Sequence, residues 1–272
     1  MANYVNNRTN LIERKISNPG LMHDVHFHNK HEMYFLEKGS VRYFVGNEIF
    51  LLNEGNMIFI PKNVFHKTDS SESETRIERL LFSFDDDLII PELRKYIAEM
   101  DRNRLITFEP SSLTHIKDIF YRMEAEAKKN DADTQKLQHL YFNELLILIS
   151  RCRIKNTKNI LNETYKIIED AAKYISENAC NNINLTNLAE KFAMSPGHFS
   201  KQFKKITGVG VNEYINICRI TMAEKLLSET DMPITAIALS CGFNDSNYFA
   251  AVFKKLKGIT PKKYSIINRN GI

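Results

Sequence analysis

The sequence has no apolar run long enough to cross a bilayer; the longest, LLILIS at 145–150, is a single patch near the end of an expected helix. Its first fifteen residues, MANYVNNRTNLIERK, lack the apolar centre of a secretion signal. Cysteine is scarce: Cys152, Cys180, Cys218 and Cys241 are widely separated and form no CxxC pair. These absences together imply a cytoplasmic protein with no membrane partner, whose cysteines are buried thiols in a reducing compartment. Strong charge of either sign is missing as well, since the net charge is +4.

That small charge is unevenly placed. From Tyr165 onward there are 14 Lys/Arg against 9 Asp/Glu, and before it 23 against 24. The asymmetry implies a C-terminal region that meets polyanions and an N-terminal region that does not. At 272 residues, 43% of them hydrophobic and 26% charged, the chain can bury the cores of two ordinary domains.

Residues 22–84 read as strands. They are rich in Phe, Tyr, Val and Ile, and Gly39, Gly46 and Gly55 fall at short, even intervals between apolar runs, which predicts a sandwich or barrel. Near Pro91 the pattern changes. Helical spacing runs over 91–100, 112–129 and 134–152, the last with a stripe of Leu137, Leu140, Tyr141, Leu145 and Leu148. This stripe serves either as a dimer seam or as packing against the chain's own barrel. A polar stretch, 153–164, reads as a linker. The expected division is a barrel over 1–90, a helical dimerisation segment over 91–152, the linker, and a helical domain over 165–272.

The helical domain contains a repeat. F-K-K-x-x-G occurs at Phe203–Gly208 and again at Phe253–Gly258, offset by 50 residues; Phe199 matches Phe249, and Tyr214 matches Tyr264, at the same offset. Each unit has a short helix containing an alanine (Ala189, Ala238), a turn, and a second helix. Ser195 with Pro196 is a good helix start, Asp245 can cap its counterpart, and Gly242 permits a tight turn. In the second unit Tyr248, Phe249, Val252, Phe253 and Leu256 are expected to form the inner, core-facing side. This is helix-turn-helix grammar twice, over about 185–208 and 234–258.

The run from Ile234 to Tyr264, with Ile237, Ala238, Gly242, Phe243, Phe249, Phe253, Lys254, Lys255, Gly258, Thr260 and Pro261, resembles the signature of AraC/XylS-type transcription regulators. It departs from that signature at Ala193, where the first turn usually has Gly, at Ser265, where Arg is usual, and at Ala251, where a basic residue is common. The resemblance implies DNA binding through the second helix of each unit. The residues placed toward the duplex are Ser195, Gly197, His198, Ser200 and Lys201 in the first unit, and Ser246, Asn247, Ala250 and Ala251 in the second. Lys204, Lys205, Lys254 and Lys255 suit phosphates. A solvated face is the alternative for any single lysine. A protein-interaction module is the minor alternative for the pair, outweighed by the length of the signature and the charge asymmetry.

The N-terminal histidines need a second explanation. His26 and His28 share strand parity, Glu32 rejoins it, and Gly20 and Gly39 flank them; G-x5-H-x-H-x3-E-x6-G looks like the first motif of the cupin barrels. Gly55, Pro61 and His66 match the second, with Asn63 and Ser70 in place of its last Gly and Asn. His26, His28, Glu32 and His66 are thus expected in one pocket. There they would bind a small molecule, a sugar among the candidates, or hold Zn²⁺, Mn²⁺ or Fe²⁺. His23 and His31 have the wrong parity and are placed on the surface.

The whole reads as an α+β multidomain protein: a cupin-like barrel with a helical segment, then an all-α double helix-turn-helix. The expected function is a dimeric, effector-responsive transcription regulator, an activator by resemblance, with promoter DNA and possible RNA polymerase contact. It needs no cofactor and is not an enzyme. The alternatives are a metal-dependent cupin enzyme with a DNA-binding tail, and a regulator that works only through protein partners.

Overall fold

A computed structural model describes residues 3–4, 11–20, 25–129, 131–154 and 161–269. Ten strands are described: β1 (Asn3–Tyr4), β2 (Ile12–Ser17), β3 (His26–Phe27), β4 (His31–Lys38), β5 (Val41–Val45), β6 (Glu48–Leu52), β7 (Met57–Ile60), β8 (His66–Asp69), β9 (Ile77–Phe84) and β10 (Leu105–Ile106). They form two facing sheets, β1-β3-β8-β5-β6 and β10-β7-β4-β9-β2. Turns are where the glycines required them: Gly39, Gly46 and Gly55 all have positive φ. Asn63, at the place of the second motif's last glycine, also takes positive φ, at 62°.

Each central strand is covered on both sides, which is why these segments read as nearly continuous apolar runs. Tyr34, Leu36, Tyr43, Val45, Ile58, Ile60 and Leu81 point between the sheets. Met33, Phe35, Met57, Phe59, Leu80, Phe82 and Phe84 point the other way, onto α1 (Arg94–Arg102), α2 (Leu113–Ala127) and α3 (Thr134–Cys152). Leu145 is fully buried in that layer and Leu148 packs against it, while Leu140 is 62% exposed. Within the expected seam, then, Leu145 and Leu148 belong to the parent barrel. The nominally helical segment also contributes β10, which pairs antiparallel with β7.

The C-terminal domain comprises α4 (Glu163–Asn178), α5 (Leu185–Lys191), α6 (Pro196–Thr207), α7 (Val211–Glu229), α8 (Ile234–Ser240), α9 (Ser246–Lys257) and α10 (Pro261–Arg269). The repeat is realised in space: Phe203 meets the ring of Tyr214 at 5.4 Å and Phe253 meets Tyr264 at 5.3 Å. Gly208 and Gly258 cap α6 and α9 in the left-handed conformation, each N–H bonding four residues back.

The barrel does not stand apart from this domain. Val25, Phe27, Phe44, Ile49 and Phe65, on the outside of the β1-β3-β8-β5-β6 sheet, share one hydrophobic cluster with the core of the C-terminal helices. The Tyr214 hydroxyl donates to the Gly46 carbonyl at 2.9 Å, and the Ile49 N–H donates to Glu169 at 2.9 Å. Arg42 stacks on Tyr165 of α4 at 4.2 Å. Barrel and C-terminal helices are therefore packed against one another.

Candidate nucleic-acid interface and barrel site

In the first helix-turn-helix unit, α5 and α6 are joined by a turn in which the Met194 N–H bonds the Ala189 carbonyl at 2.9 Å. In the second, the Phe243 N–H bonds the Ala238 carbonyl at 3.0 Å between α8 and α9. Ala189 and Ala238 are buried at these crossings, where a larger side chain would separate the helices. The Asp245 side chain caps α9 by accepting from the Asn247 N–H at 2.7 Å. Ser195 has the extended backbone of a cap, but its side chain makes no cap bond, so its expected role is met by Pro196 at the first helical position.

Phe199, Phe203, Phe249 and Phe253 are buried, turning the other faces of α6 and α9 outward. Ser195, Gly197, His198, Lys201, Lys204 and Lys205 are exposed and Ser200 half-buried on the first unit. Ser246, Asn247, Ala251, Lys254 and Lys255 are exposed and Ala250 half-buried on the second. Tyr248 departs from expectation. It is 52% exposed, and its hydroxyl accepts from the Asn216 amide at 3.0 Å. Phe249 holds the inward direction, and adjacent helical residues cannot share it.

The helix α7 ties the two units through contacts the sequence reading missed. Arg219 donates to the carbonyls of Ala179 at 2.7 Å and Asn181 at 3.3 Å, with its guanidinium 5.5 Å from the Phe243 ring. Glu224 pairs with Lys257 at 2.8 Å, so this lysine turns away from the exposed basic face. Nineteen residues of α7 span about 28 Å, comparable with one turn of B-DNA.

Inside the barrel, β3 and β8 pair at His26 and His66. The His26 and His66 rings are 4.3 Å apart and those of His28 and His66 5.0 Å, and one ligating nitrogen from each of the three lies within 4.8 Å of the others. Glu32 is buried beside them, 3.2 Å from His28 Nε2, with the Tyr43 hydroxyl 3.5 Å from its other oxygen. The four expected residues are therefore brought together, and Tyr43 joins them. His31 is corrected: it is buried on the helix-facing side of β4, stacked between Phe59 and Phe84 and bonded to Asp86 at 3.0 Å. His23 lies outside the described residues. Of the cysteines, only Cys241 is fully buried; Cys152, Cys180 and Cys218 are half-buried.

Proton placement follows from the acceptors. His66 Nδ1 lies 2.8 Å from the Val64 carbonyl and must carry the proton there; its Nε2 is buried with no hydrogen-bond partner among the described residues. Burial, helped by His26 and His28, pushes the His66 pKa down to about 3, so the ring is neutral with a free lone pair. His28 Nδ1 likewise donates to the Lys30 carbonyl at 2.8 Å. The contact between His28 Nε2 and Glu32 then requires a second proton or a cation between them. Two imidazoles oriented by backbone carbonyls, with His66 Nε2 unpartnered among the described residues and His28 Nε2 facing Glu32, fit a divalent transition metal, for which such bonds fix ring orientation. The same atoms fit ligand hydroxyls.

A barrel holding a buried histidine–glutamate cluster, packed on two helix-turn-helix units with exposed reading faces, defines a two-domain DNA-binding protein. Comparison with known proteins agrees: residues 188–265 match a helix-turn-helix domain model and residues 16–81 a cupin domain model. The chain thus carries an AraC-type helix-turn-helix domain and an N-terminal cupin domain. It is 23% identical over 253 residues to the HTH-type transcriptional activator RhaR of Mannheimia succiniciproducens, covering 93% of this chain and 90% of that one. It is 24% identical over 246 residues to the activator RhaS of Escherichia fergusonii, covering 88% and 86%. Among solved structures, ToxT of Vibrio cholerae is 18% identical, covering 94% of this chain and 98% of that one, with a TM-score of 0.37. No helix among the described residues is long and apolar enough to cross a membrane.

Proposed function

We propose that this transcription regulator reads promoter DNA with α6 and α9 and answers to a small polar effector held at His26, His28, Glu32 and His66. The observation that carries the reading is the spatial repeat itself: two units with matching Phe–Tyr cores, both turning an exposed polar and basic helix face outward. Lys201 and Asn247 read base edges, His198, Ser195, Gly197, Ser200, Ser246, Ala250 and Ala251 complete the surface, and Lys204, Lys205, Lys254 and Lys255 take phosphates. The barrel over 1–90 senses, the segment over 91–152 dimerises through the face of α3 that carries Leu140, and 165–272 binds DNA across the 153–164 linker. In this reading the protein is cytoplasmic, has no enzymatic activity and contacts RNA polymerase; that it activates transcription is supported by the relatives' names, which call them transcriptional activators.

The effector is a polyhydroxyl compound of sugar size, since buried imidazoles, a carboxylate and a tyrosine hydroxyl pair well with several hydroxyl groups. The test is selection of duplexes from a random library by the purified chain, followed by a salt series on the selected site. Wild type should enrich one sequence and weaken steeply with salt. Asn247→Ala should lose about 1–3 kcal/mol of discrimination at one base, and Lys254→Ala should lower affinity on all sequences. Enrichment of no sequence overturns the reading.

A second reading gives the barrel a divalent metal, Zn²⁺, Mn²⁺ or Fe²⁺, as a cofactor on His26, His28 and His66. It is favoured by the three ligating nitrogens lying within 4.8 Å of one another, with His66 Nε2 buried and without a hydrogen-bond partner among the described residues. Elemental analysis of the purified chain decides it: about one metal per chain in wild type, and loss in His66→Ala, support it, and a metal-free wild type ends it.

A further inference from the structure

The strands that carry the histidines have two faces. On β3 and its flanks, His26 and His28 point into the barrel, while Val25 and Phe27, alternating with them, point out into the C-terminal core. On β8, His66 points in and the next residue, Lys67, points out: its Nζ donates to the carbonyl of Lys205 at 2.8 Å. That carbonyl lies in the last turn of α6, where helix carbonyls lack partners and a cation is favoured. The barrel thus caps the first recognition helix. Lys205 is held at its backbone by Lys67 while its side chain stays exposed among the DNA-facing lysines.

The repeat supplies an internal comparison. Gly208 and Gly258 are equivalent caps with φ of 88° and 74°. A Cβ on Gly208 would lie 2.1 Å from Val25 Cγ2 and 2.8 Å from Lys67 Cδ, whereas a Cβ on Gly258 would meet nothing within 4 Å. The second recognition helix touches the same strand more lightly, through Lys257, whose Nζ lies 4.6 Å above the Phe27 ring.

We infer that β3 and β8 are the coupling plate of the protein, so that what occupies the histidine cluster sets the placement of the first helix-turn-helix unit through Val25 and Lys67 on Gly208 and Lys205. The inference rests on the regulator reading for its purpose, but its geometry stands without it. A two-stranded element with ligands on one face and a helix cap on the other gives an occupant different contacts in two arrangements of α6, which is what a population shift requires. The asymmetry follows too: the first unit answers to the barrel, and the second follows through α7.

The experiment is hydrogen exchange by mass spectrometry on the full chain. Lys67→Met, which keeps the aliphatic stem, should speed exchange at 204–209 by roughly five- to tenfold. His66→Ala and the milder His26→Ala should speed the same amides without touching the seam themselves. Gly208→Ala should speed exchange in β3 and β8, and Gly258→Ala, with the same cap strain, should leave both strands at the wild-type rate. Wild-type rates at 204–209 in Lys67→Met, or in both histidine variants, overturn the inference; so does Gly258→Ala disturbing the strands as Gly208→Ala does. If library selection enriches no duplex, the regulator reading falls, while the exchange comparison still decides the coupling.

Discussion

Ala193 holds the left-handed backbone conformation that Gly242 holds in the matching turn, at φ 53° against 85°. Both allow the N–H one residue on to reach back across the turn. For alanine that conformation costs about 1–2 kcal/mol, part of which glycine would return as extra freedom in the unfolded chain. Ala193→Gly is therefore expected to stabilise the protein by about 0.5–1 kcal/mol in urea unfolding, with DNA affinity unchanged.

The two recognition helices start differently, and the difference is measurable. Asp245 caps α9 with its carboxylate, while the Ser195 side chain makes no cap bond on α6. Asp245→Ala should cost about 1 kcal/mol and Ser195→Ala near zero in thermal unfolding. Equal losses would contradict the geometry.

Arg219 binds two carbonyls at the end of α4 and lies against Phe243 of the second unit. A lysine cannot reproduce that fork. Arg219→Lys should lose nearly as much as Arg219→Ala, about 2 kcal/mol in chemical denaturation. Affinity for a duplex carrying both half-sites should fall further than affinity for one half-site, because the spacing of the units loosens.

Burial holds His66 neutral down to a pKa of about 3, well below the ordinary value of 6.5. Between those values the unfolded chain binds a proton that the folded chain does not, so folding loses stability as pH falls below about 6.5. In metal-chelating buffer the metal-free chain should lose up to about 1.4 kcal/mol per pH unit through this group between pH 6 and 5. His66→Gln should show a shallower slope in the same unfolding series. Parallel slopes would count against a buried neutral imidazole.

Much of this was legible in the chain. The 50-residue offset gave both helix-turn-helix units, because Phe, Gly and Tyr at fixed spacing each answer a local demand: core face, helix cap, packing partner. Strand parity placed His26, His28 and Glu32 on one face. The same parity misplaced His31, because alternation tells which residues share a face and not what covers the other one; here α1 and the segment around Asp86 do. The stripe on α3 was ambiguous for a like reason, since Leu145 and Leu140 differ only in what lies opposite. The seam between barrel and helices left little trace. Val25, Phe27, Phe44, Ile49 and Phe65 look like ordinary strand residues, and the polar stretch after Arg153 suggested separation.

The shared cluster of barrel and helical residues has a practical side. A chain divided between Ile154 and Leu161 would give two fragments, each with raw apolar surface where Phe44, Phe65 and Tyr214 now meet. Each half would be poorly soluble alone, and the two co-expressed would recover one another as a split protein.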